Sequence, residues 1–156
     1  MYIAIPTYVA NSTPVLLGGG AAIDRGRSFS DGRRILGSHK TVKGFGYGLL
    51  LGGIAAVAEA ILFANYKLIL AGAVASLGAL LGDLLGAFLK RRLDIAPGRP
   101  LPVVDQLDFI LGALLFASPL LQVTTGSVVI LIVATVPIHL ISNATAYALG
   151  LKKHLW

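Results

Sequence analysis

The sequence predicts an all-α integral membrane protein in which five transmembrane helices form a single domain over residues 1–156. Apolar residues make up 56% of the chain, charged residues make up 13%, and the mean hydropathy is +0.82. Because ordinary globular proteins are about a quarter charged, this chain has too little charge to cover a soluble domain. It contains no cysteine, which excludes a disulfide framework and thiolate chemistry.

Five windows are apolar and long enough to cross a bilayer, which takes roughly 17–25 residues. They cover residues 1–20, 44–64, 68–89, 104–122 and 126–150. The first window is the weakest, because it contains Asn11, Ser12 and two prolines. Irregular, polar backbone at membrane depth is tolerated where it is buried in protein or lines a cavity. We therefore expect the first segment to border a wet site.

Glycines recur at every fourth position in the second and third windows. They are Gly44, Gly48 and Gly52, followed by Gly78, Gly82 and Gly86. Small residues at this spacing let helix backbones approach closely in lipid. The pattern predicts close helix packing rather than a binding site.

The segments between the windows differ sharply in charge. Loop 1 (about 21–43) and loop 3 (about 90–103) are strongly basic, whereas Lys67 is the one basic residue of loops 2 and 4. Since basic residues mark the cytosolic side of membrane helices, the N-terminus is expected outside and the C-terminus in the cytosol. Twelve basic residues then lie on the cytosolic side: Arg25, Arg27, Arg33, Arg34, Lys40, Lys43, Lys90, Arg91, Arg92, Arg99, Lys152 and Lys153.

Three aspartates lie within or at the edge of the windows, where ionisable residues are rare and usually functional. Asp105 and Asp108 share one helical face and would repel each other without a cation between them. Asp83 lies roughly 10 Å below the cytosolic end of its helix. Because hard divalent cations prefer carboxylate oxygens, these aspartates predict a metal site. Two structural alternatives stay open: Asp105 caps its helix, or Asp83 pairs with Lys90 or Arg91.

Loop 1 mixes its cations with glycines and hydroxyl groups. Residues 24–44 read DRGRSFSDGRRILGSHKTVKG. Backbone amides, hydroxyls and the planar fork of arginine suit phosphate oxygens. Phosphate binding is therefore predicted for Arg33, Arg34, Lys40 and Lys43. The alternative is a solvated loop that sets topology and contacts anionic lipids.

Polar residues of the second and fifth windows have simpler interpretations. Glu59 is expected to hydrogen-bond a neighbour or to reach Lys67. His139 is expected to make a packing hydrogen bond. Asn143, one turn nearer the cytosol, is a candidate to line the site.

Four segments carry a resemblance to a known family. They are PTYVANSTP (6–14), DGRRILGSHKTVKG (31–44), GDLLGAFLKRRLDIAPGRPLPVVDQLD (82–108) and HLISNATAY (139–147). The chain resembles the CDP-archaeol synthases, archaeal membrane cytidylyltransferases related to the CDP-diacylglycerol synthases. Lys90 and Arg91 match the Lys-Arg pair of the wider signature, and Asp105 and Asp108 match its closing D-R-x-D. Gln106 replaces the arginine of that closing motif.

The resemblance implies Mg²⁺-dependent transfer of CMP from CTP to 2,3-di-O-geranylgeranyl-glycerol 1-phosphate, with release of pyrophosphate. The attacking phosphate oxygen is already anionic, so positioning and charge stabilisation suffice. On this hypothesis Asp83, Asp105 and Asp108 hold Mg²⁺, while Asn11 and Ser12 read cytosine or coordinate the lipid phosphate. The cations that would neutralise the phosphates are Lys90, Arg91, Arg33, Arg34, Lys40 and Lys43.

The expected partners are CTP, an isoprenoid ether lipid phosphate and the cell membrane, with the active site on the cytosolic face. No nucleic-acid partner is expected, and a homo-oligomer is left open. One rival function is a CDP-alcohol phosphotransferase. The DGRR sequence at Asp31 imitates only the opening of that family's acidic motif. Another is a small ion-coupled transporter that uses Asp83, Glu59 and His139, although the charges gather near one face.

Overall fold

The computed structural model describes residues 2–97, 99–148 and 150, and each predicted window overlaps one α-helix. The helices are α1 (Ala4–Leu17), α2 (Val42–Leu62), α3 (Lys67–Arg92), α4 (Val104–Ala117) and α5 (Thr125–Ala148). Within the described residues there is no β-strand, so the all-α prediction is confirmed. Lys152 and Lys153, predicted to be cytosolic, lie outside these residues.

Three helices, α2, α3 and α5, are long and apolar enough to cross a membrane. In contrast, α1 and α4 have 14 residues each. Each spans about 21 Å at 1.5 Å per residue, less than the roughly 30 Å of a hydrocarbon core. The predicted windows are longer because they include apolar residues outside the helices, such as the glycines from Gly18 and the segment around Pro119. Five crossings and their orientation stay predictions.

Glycines bring the helix backbones into contact, as the four-residue spacing predicted. A β-carbon on Gly48 would lie 2.7 Å from the carbonyl oxygen of Ala10 in α1, and one on Gly52 would lie 2.9 Å from the Ala10 side chain. At Gly78 and Gly82 a β-carbon would overlap carbonyl oxygens of α4. Any side chain at these positions would push the helices apart.

The core lies where α3 meets α4, and α5 packs at its edge. Phe109 and Ile110 of α4 are completely buried there. Phe109 also contacts the ring of Tyr8 in α1, and the Tyr8 hydroxyl lies 2.7 Å from Thr135 Oγ1 in α5.

Loop 1 folds back onto the end of α3, where loop 3 begins. The Arg92 guanidinium donates to Asp31 at 2.8 Å and to the carbonyl oxygen of Arg34 at 2.7 Å. Loop 1 itself is ordered by isolated bridges that pair Ala22 with Thr41 and Ser28 with Arg34. The two basic loops therefore meet at one end of the helix bundle.

Candidate active site

Lys40 and Asp83 form the first ion pair of the site. Lys40 is the last residue of loop 1 before the Thr41 cap of α2, and its Nζ lies 2.6 Å from both carboxylate oxygens of Asp83. The two side chains keep 27% and 24% of their surface exposed, so the pair is accessible from solvent. The predicted alternative, in which Asp83 pairs with Lys90 or Arg91, is wrong. Lys40 reaches Asp83 because loop 1 folds back over α3.

Lys90 and Asp105 form a second ion pair across the α3–α4 junction. Lys90 Nζ lies 2.8 and 2.9 Å from the Asp105 oxygens, and it also donates to the carbonyl oxygen of Arg99 at 3.1 Å. Asp105 accepts a further bond from the backbone amide of Leu101 at 2.9 Å. Asp105 lies in the first turn of α4, but no described side chain caps that helix, so its carboxylate bonds to the loop before α4 and to Lys90. Val103, just before α4, has a φ of 70°, a strained conformation for a β-branched residue and one often found at functional sites.

Asp108 is held against the backbone of α3. Its carboxylate lies on Gly86, where any β-carbon would overlap the Oδ2 atom. Oδ1 accepts a bond from the Phe109 amide at 2.6 Å. The charges of Asp83 and Asp105 act on this carboxylate, so the three acids share one neighbourhood. Among the described residues, Asp108 forms no ion pair.

The described residues contain no preformed cluster of three acidic or histidine side chains that could hold a metal ion. Two of the three predicted ligands, Asp83 and Asp105, hold lysine ammonium groups instead. Their donor chemistry still fits a hard divalent cation, because all three groups are carboxylates. Asp108 presents the carboxylate that no lysine occupies.

Arg91 is a buried cation without an ion pair in the part of the chain that the structure describes. The residue is 7% exposed, and its Nε has no hydrogen-bond partner. The guanidinium lies against Gly37 of loop 1, where a β-carbon would come 3.0 Å from Nη1. A buried charge without a partner is costly unless something else satisfies it. Arg91 is therefore a strong candidate to bind an anion.

Arg92, the third cation of the Lys-Arg-Arg run, has a structural role. Its guanidinium carbon lies 4.9 Å from the ring centre of Phe29 and 4.8 Å from that of Phe88. With its bonds to loop 1, this contact fastens the loop to α3. Successive helical residues point about 100° apart, so the three cations of this run have different surroundings.

The predicted phosphate ligands of loop 1 have different surroundings. Arg33 donates to the Arg92 carbonyl oxygen and lies 3.6 Å from Asp94, with 43% of its side chain exposed. Lys43 lies 5.7 Å from the ring centre of Tyr47. The loop thus brings Lys40 next to the acids, whereas phosphate binding by Arg33 and Lys43 stays a prediction.

Arg34 pairs with Asp24, a residue that sequence reasoning did not single out. The Asp24 side chain is completely buried and accepts two bonds from the Arg34 guanidinium, at 3.3 and 2.5 Å. It also accepts from the backbone amides of Gly26, Leu36 and Gly37 at 3.0, 3.0 and 2.8 Å. Burial alone would raise the pKa of Asp24, but Arg34 and these amides hold that pKa well below its ordinary value. An acid followed by glycines and an arginine in a polar loop was the available signal.

The predicted polar residues of α1 and α5 differ in burial. Asn11 is half-buried one turn from Tyr8, on the face of α1 that contacts α4, whereas Ser12 is exposed and bonds to the Val9 carbonyl oxygen at 3.3 Å. Asn143 is buried, and its Nδ2 lies 3.2 Å from Nδ1 of His139.

His139 also stacks on Phe109 of α4, with 6.2 Å between ring centres, so it packs between helices through its ring, while its hydrogen bond to Asn143 lies within α5. The predicted packing hydrogen bond to another helix stays a prediction. The predicted reach of Glu59 to Lys67 is wrong: the two form no ion pair. The Glu59 Oε2 atom is buried and has no hydrogen-bond partner among the described residues. Glu59 lies within α2 and Lys67 opens α3 after the intervening turn.

The similarity of this chain to known proteins covers nearly its whole length. A sequence model of the family described as CarS-like, CDP-archaeol synthase, matches residues 1–156. The CDP-archaeol synthase of Methanococcus aeolicus is 45% identical over 164 residues, which cover 97% of this chain and 92% of that protein. The one from Pyrococcus furiosus is 46% identical over 156 residues, with 97% and 93% covered. A solved structure described as an intramembrane enzyme for archaeal membrane lipids biosynthesis is 41% identical and superimposes with a TM-score of 0.87, covering 91% of this chain and 90% of that chain.

Proposed function

This chain belongs to the CDP-archaeol synthase family, and we propose that it transfers CMP from CTP to 2,3-di-O-geranylgeranyl-glycerol 1-phosphate with the help of Mg²⁺. It is a membrane enzyme, a CTP-using cytidylyltransferase of archaeal membrane lipid biosynthesis. Family membership sets aside the two rival functions, a CDP-alcohol phosphotransferase and an ion-coupled transporter.

The reaction needs positioning more than proton transfer. An oxygen of the lipid phosphate attacks the α-phosphorus of CTP, the bond from that phosphorus to the bridging oxygen breaks, and pyrophosphate leaves. The attacking oxygen is already anionic near neutral pH, so no strong base is required. The barrier comes from bringing polyanions together, and fixed cations lower it.

The observation that carries this proposal is the buried guanidinium of Arg91, which has no ion pair among the described residues. Lys90, the residue before Arg91 on α3, pairs with Asp105, and the Lys40–Asp83 pair lies at the same end of the bundle. A triphosphate entering from this end would meet three cations on one side. The planar fork of Arg91 suits a phosphate, and the flexible lysines suit groups whose charge shifts as the bond breaks.

Mg²⁺, which CTP would bring with it, would be held by Asp83, Asp105 and Asp108, and it would neutralise the charge of the leaving pyrophosphate. Asp108 is the first candidate ligand, because it forms no ion pair with a described residue. Asn11, Ser12 and Asn143 remain the candidates for the cytosine ring or the lipid phosphate. The prenyl chains would lie along the membrane-facing surfaces of the helices, with the phosphates at the cytosolic end.

The test is transfer of radiolabel from [α-³²P]CTP into organic-extractable lipid by the purified protein. The acceptor is the geranylgeranyl-ether glycerol phosphate with Mg²⁺, and the controls are EDTA and the nucleotides ATP, GTP and UTP. We expect labelled lipid that is strongest with CTP and abolished by EDTA. Labelling that survives EDTA would contradict the magnesium part alone, and the absence of label from folded protein would contradict the proposed reaction.

A further inference from the structure

Asp24 uses its whole hydrogen-bonding capacity within loop 1. Five donors surround its carboxylate, which has no exposed surface: two from Arg34 and one each from the amides of Gly26, Leu36 and Gly37. A carboxylate can accept about four bonds in good geometry, so none of its capacity is left for a ligand. Asp24 therefore acts on the loop rather than on a substrate.

The segment that Asp24 holds leads directly to two cations of the site. Gly37, whose amide is bonded to Asp24, has a φ of +102° and packs against the Arg91 guanidinium. On the other side of Asp24, the amide of Ile23 donates to the carbonyl oxygen of Lys40 at 2.8 Å. The backbone around Asp24 thus contacts Arg91 through Gly37 and Lys40 through Ile23. Lys40 directly precedes Thr41, the cap of α2, and its side chain holds Asp83.

We propose that Asp24 is a positioning residue of the enzyme, which fixes loop 1 so that Lys40 and Arg91 meet the phosphates of CTP. The inference rests on the proposed function for the identity of the ligand, and on the geometry of loop 1 for the role of Asp24. An acid that only stabilised loop 1 would not have to hold the backbone that contacts Lys40 and Arg91. Asp31, the other acid of loop 1, provides the contrast, because it is more exposed and contacts Arg92 and the Arg33 amide instead.

The first test measures the environment of Lys40 without using activity. The purified protein in detergent is acetylated with an amine-reactive ester, and mass spectrometry follows Lys40 and the exposed Lys43 in the same sample. In the wild type, Lys40 should react slowly because its ammonium is held by Asp83, whereas Lys43 should react quickly. In Asp24→Asn, Lys40 should react several times faster with Lys43 unchanged, and Asp31→Asn should leave both rates unchanged. Equal Lys40 rates in wild type and Asp24→Asn would overturn the proposal.

The second test separates positioning from a loss of folded enzyme. Loss of folded protein lowers kcat and leaves KM unchanged, whereas a misplaced Lys40 or Arg91 raises the KM for CTP. Because a displacement of about 1 Å can cost roughly 10²-fold, we expect kcat/KM for CTP to fall between about 10- and 10²-fold in Asp24→Asn. In a Lys40→Met background the same substitution should cost much less, since residues that act through one another are non-additive. Full additivity, or a fall in kcat alone, would overturn the inference.

Gly37→Ala is the second variant, which keeps the test decisive if Asp24→Asn folds poorly. It leaves the Asp24 carboxylate in place, but a β-carbon would press on Arg91 Nη1 at 3.0 Å. It should raise the KM for CTP and also lower the thermal stability, because a φ of +102° is strained for alanine. An unchanged KM in the folded protein would contradict the proposal. If the wild type transfers no label from CTP, the proposed function fails, and the Lys40 labelling still decides the role of Asp24.

Discussion

Replacing Gly86 by alanine should disable the site while leaving the fold in place. The missing side chain of Gly86 is what lets the Asp108 carboxylate lie against α3. A β-carbon there would overlap Oδ2 and would come 2.9 Å from Cγ and 3.1 Å from Cβ of Asp108. These atoms belong to a side chain rather than to a backbone, so the Asp108 side chain must rotate away before the helices separate.

The size of the effect follows from the clash. Overpacking costs about 1–3 kcal/mol, and an alanine in a helix interior returns about 1 kcal/mol relative to glycine. The net loss of stability is then small, about 0–2 kcal/mol. Activity should suffer more, because a reacting group misplaced by about 1 Å can cost roughly 10²-fold, or about 2.7 kcal/mol of barrier. We therefore expect a large fall in kcat with a modest change in thermal stability.

Two further glycines serve as controls in the CTP-transfer assay. A β-carbon on Gly46 would meet nothing within 4 Å, so Gly46→Ala should keep full activity. One on Gly82 would overlap the Asp108 carbonyl oxygen, so Gly82→Ala should lower both stability and activity. If Gly86→Ala retains activity within about threefold of the wild type, well short of the expected loss, the Asp108 carboxylate is not needed where the structure places it.

The other predictions concern Arg91 and Asp24. Arg91→Lys keeps the charge but loses the planar fork, and since a charged hydrogen bond contributes about 1.5–3 kcal/mol, the KM for CTP should rise about 10-fold or more. Its control is Arg92→Lys, which should lower the thermal stability through lost ring contacts and raise that KM less than Arg91→Lys does, because Arg92 acts only by fastening loop 1 to α3; the reverse pattern would contradict the roles given to these two arginines. Because the pKa of Asp24 is lowered in the folded protein, its stabilising effect is complete above the ordinary value of 3.8 and is lost as the pH falls below it. Acid titration of thermal stability should show this loss in the wild type, and the loss should be smaller in Asp24→Asn.

The position and type of the helices were predictable from the apolar windows of the sequence, but the lengths of two of them were not. Apolar residues continue past the ends of α1 and α4, so a hydropathy window cannot tell helix from the chain that follows. The stop signals were present in the sequence: Gly18 begins a run of three glycines after α1, and Pro119 lies just after α4. Weighting these signals above hydropathy would have placed the helix ends correctly.

Within the site, residue types were more predictable than partners. Asp83 and Lys40 lie 43 residues apart. Lys40 belongs to loop 1 and Asp83 to α3, with α2 between them, so no local periodicity in the sequence predicts their contact. The same limit applies to Arg92, whose position between Phe29 and Phe88 exists only after loop 1 has folded back. Helical geometry alone, however, shows that three consecutive cations leave the helix in directions about 100° apart.

Charge balance is the reason for expecting a metal at this site. The acids Asp83, Asp105 and Asp108 are matched by Lys40, Lys90 and Arg91, so the cluster is close to neutral before any substrate arrives. A phosphate monoester alone brings a charge of about −1.5 to −2 near neutral pH, and a triphosphate brings more. The lysines cannot offset this charge while they hold Asp83 and Asp105. Asp83, Asp105 and Asp108 would hold divalent cations that neutralise phosphate charge, and Lys40 and Lys90 would then be available to the phosphates.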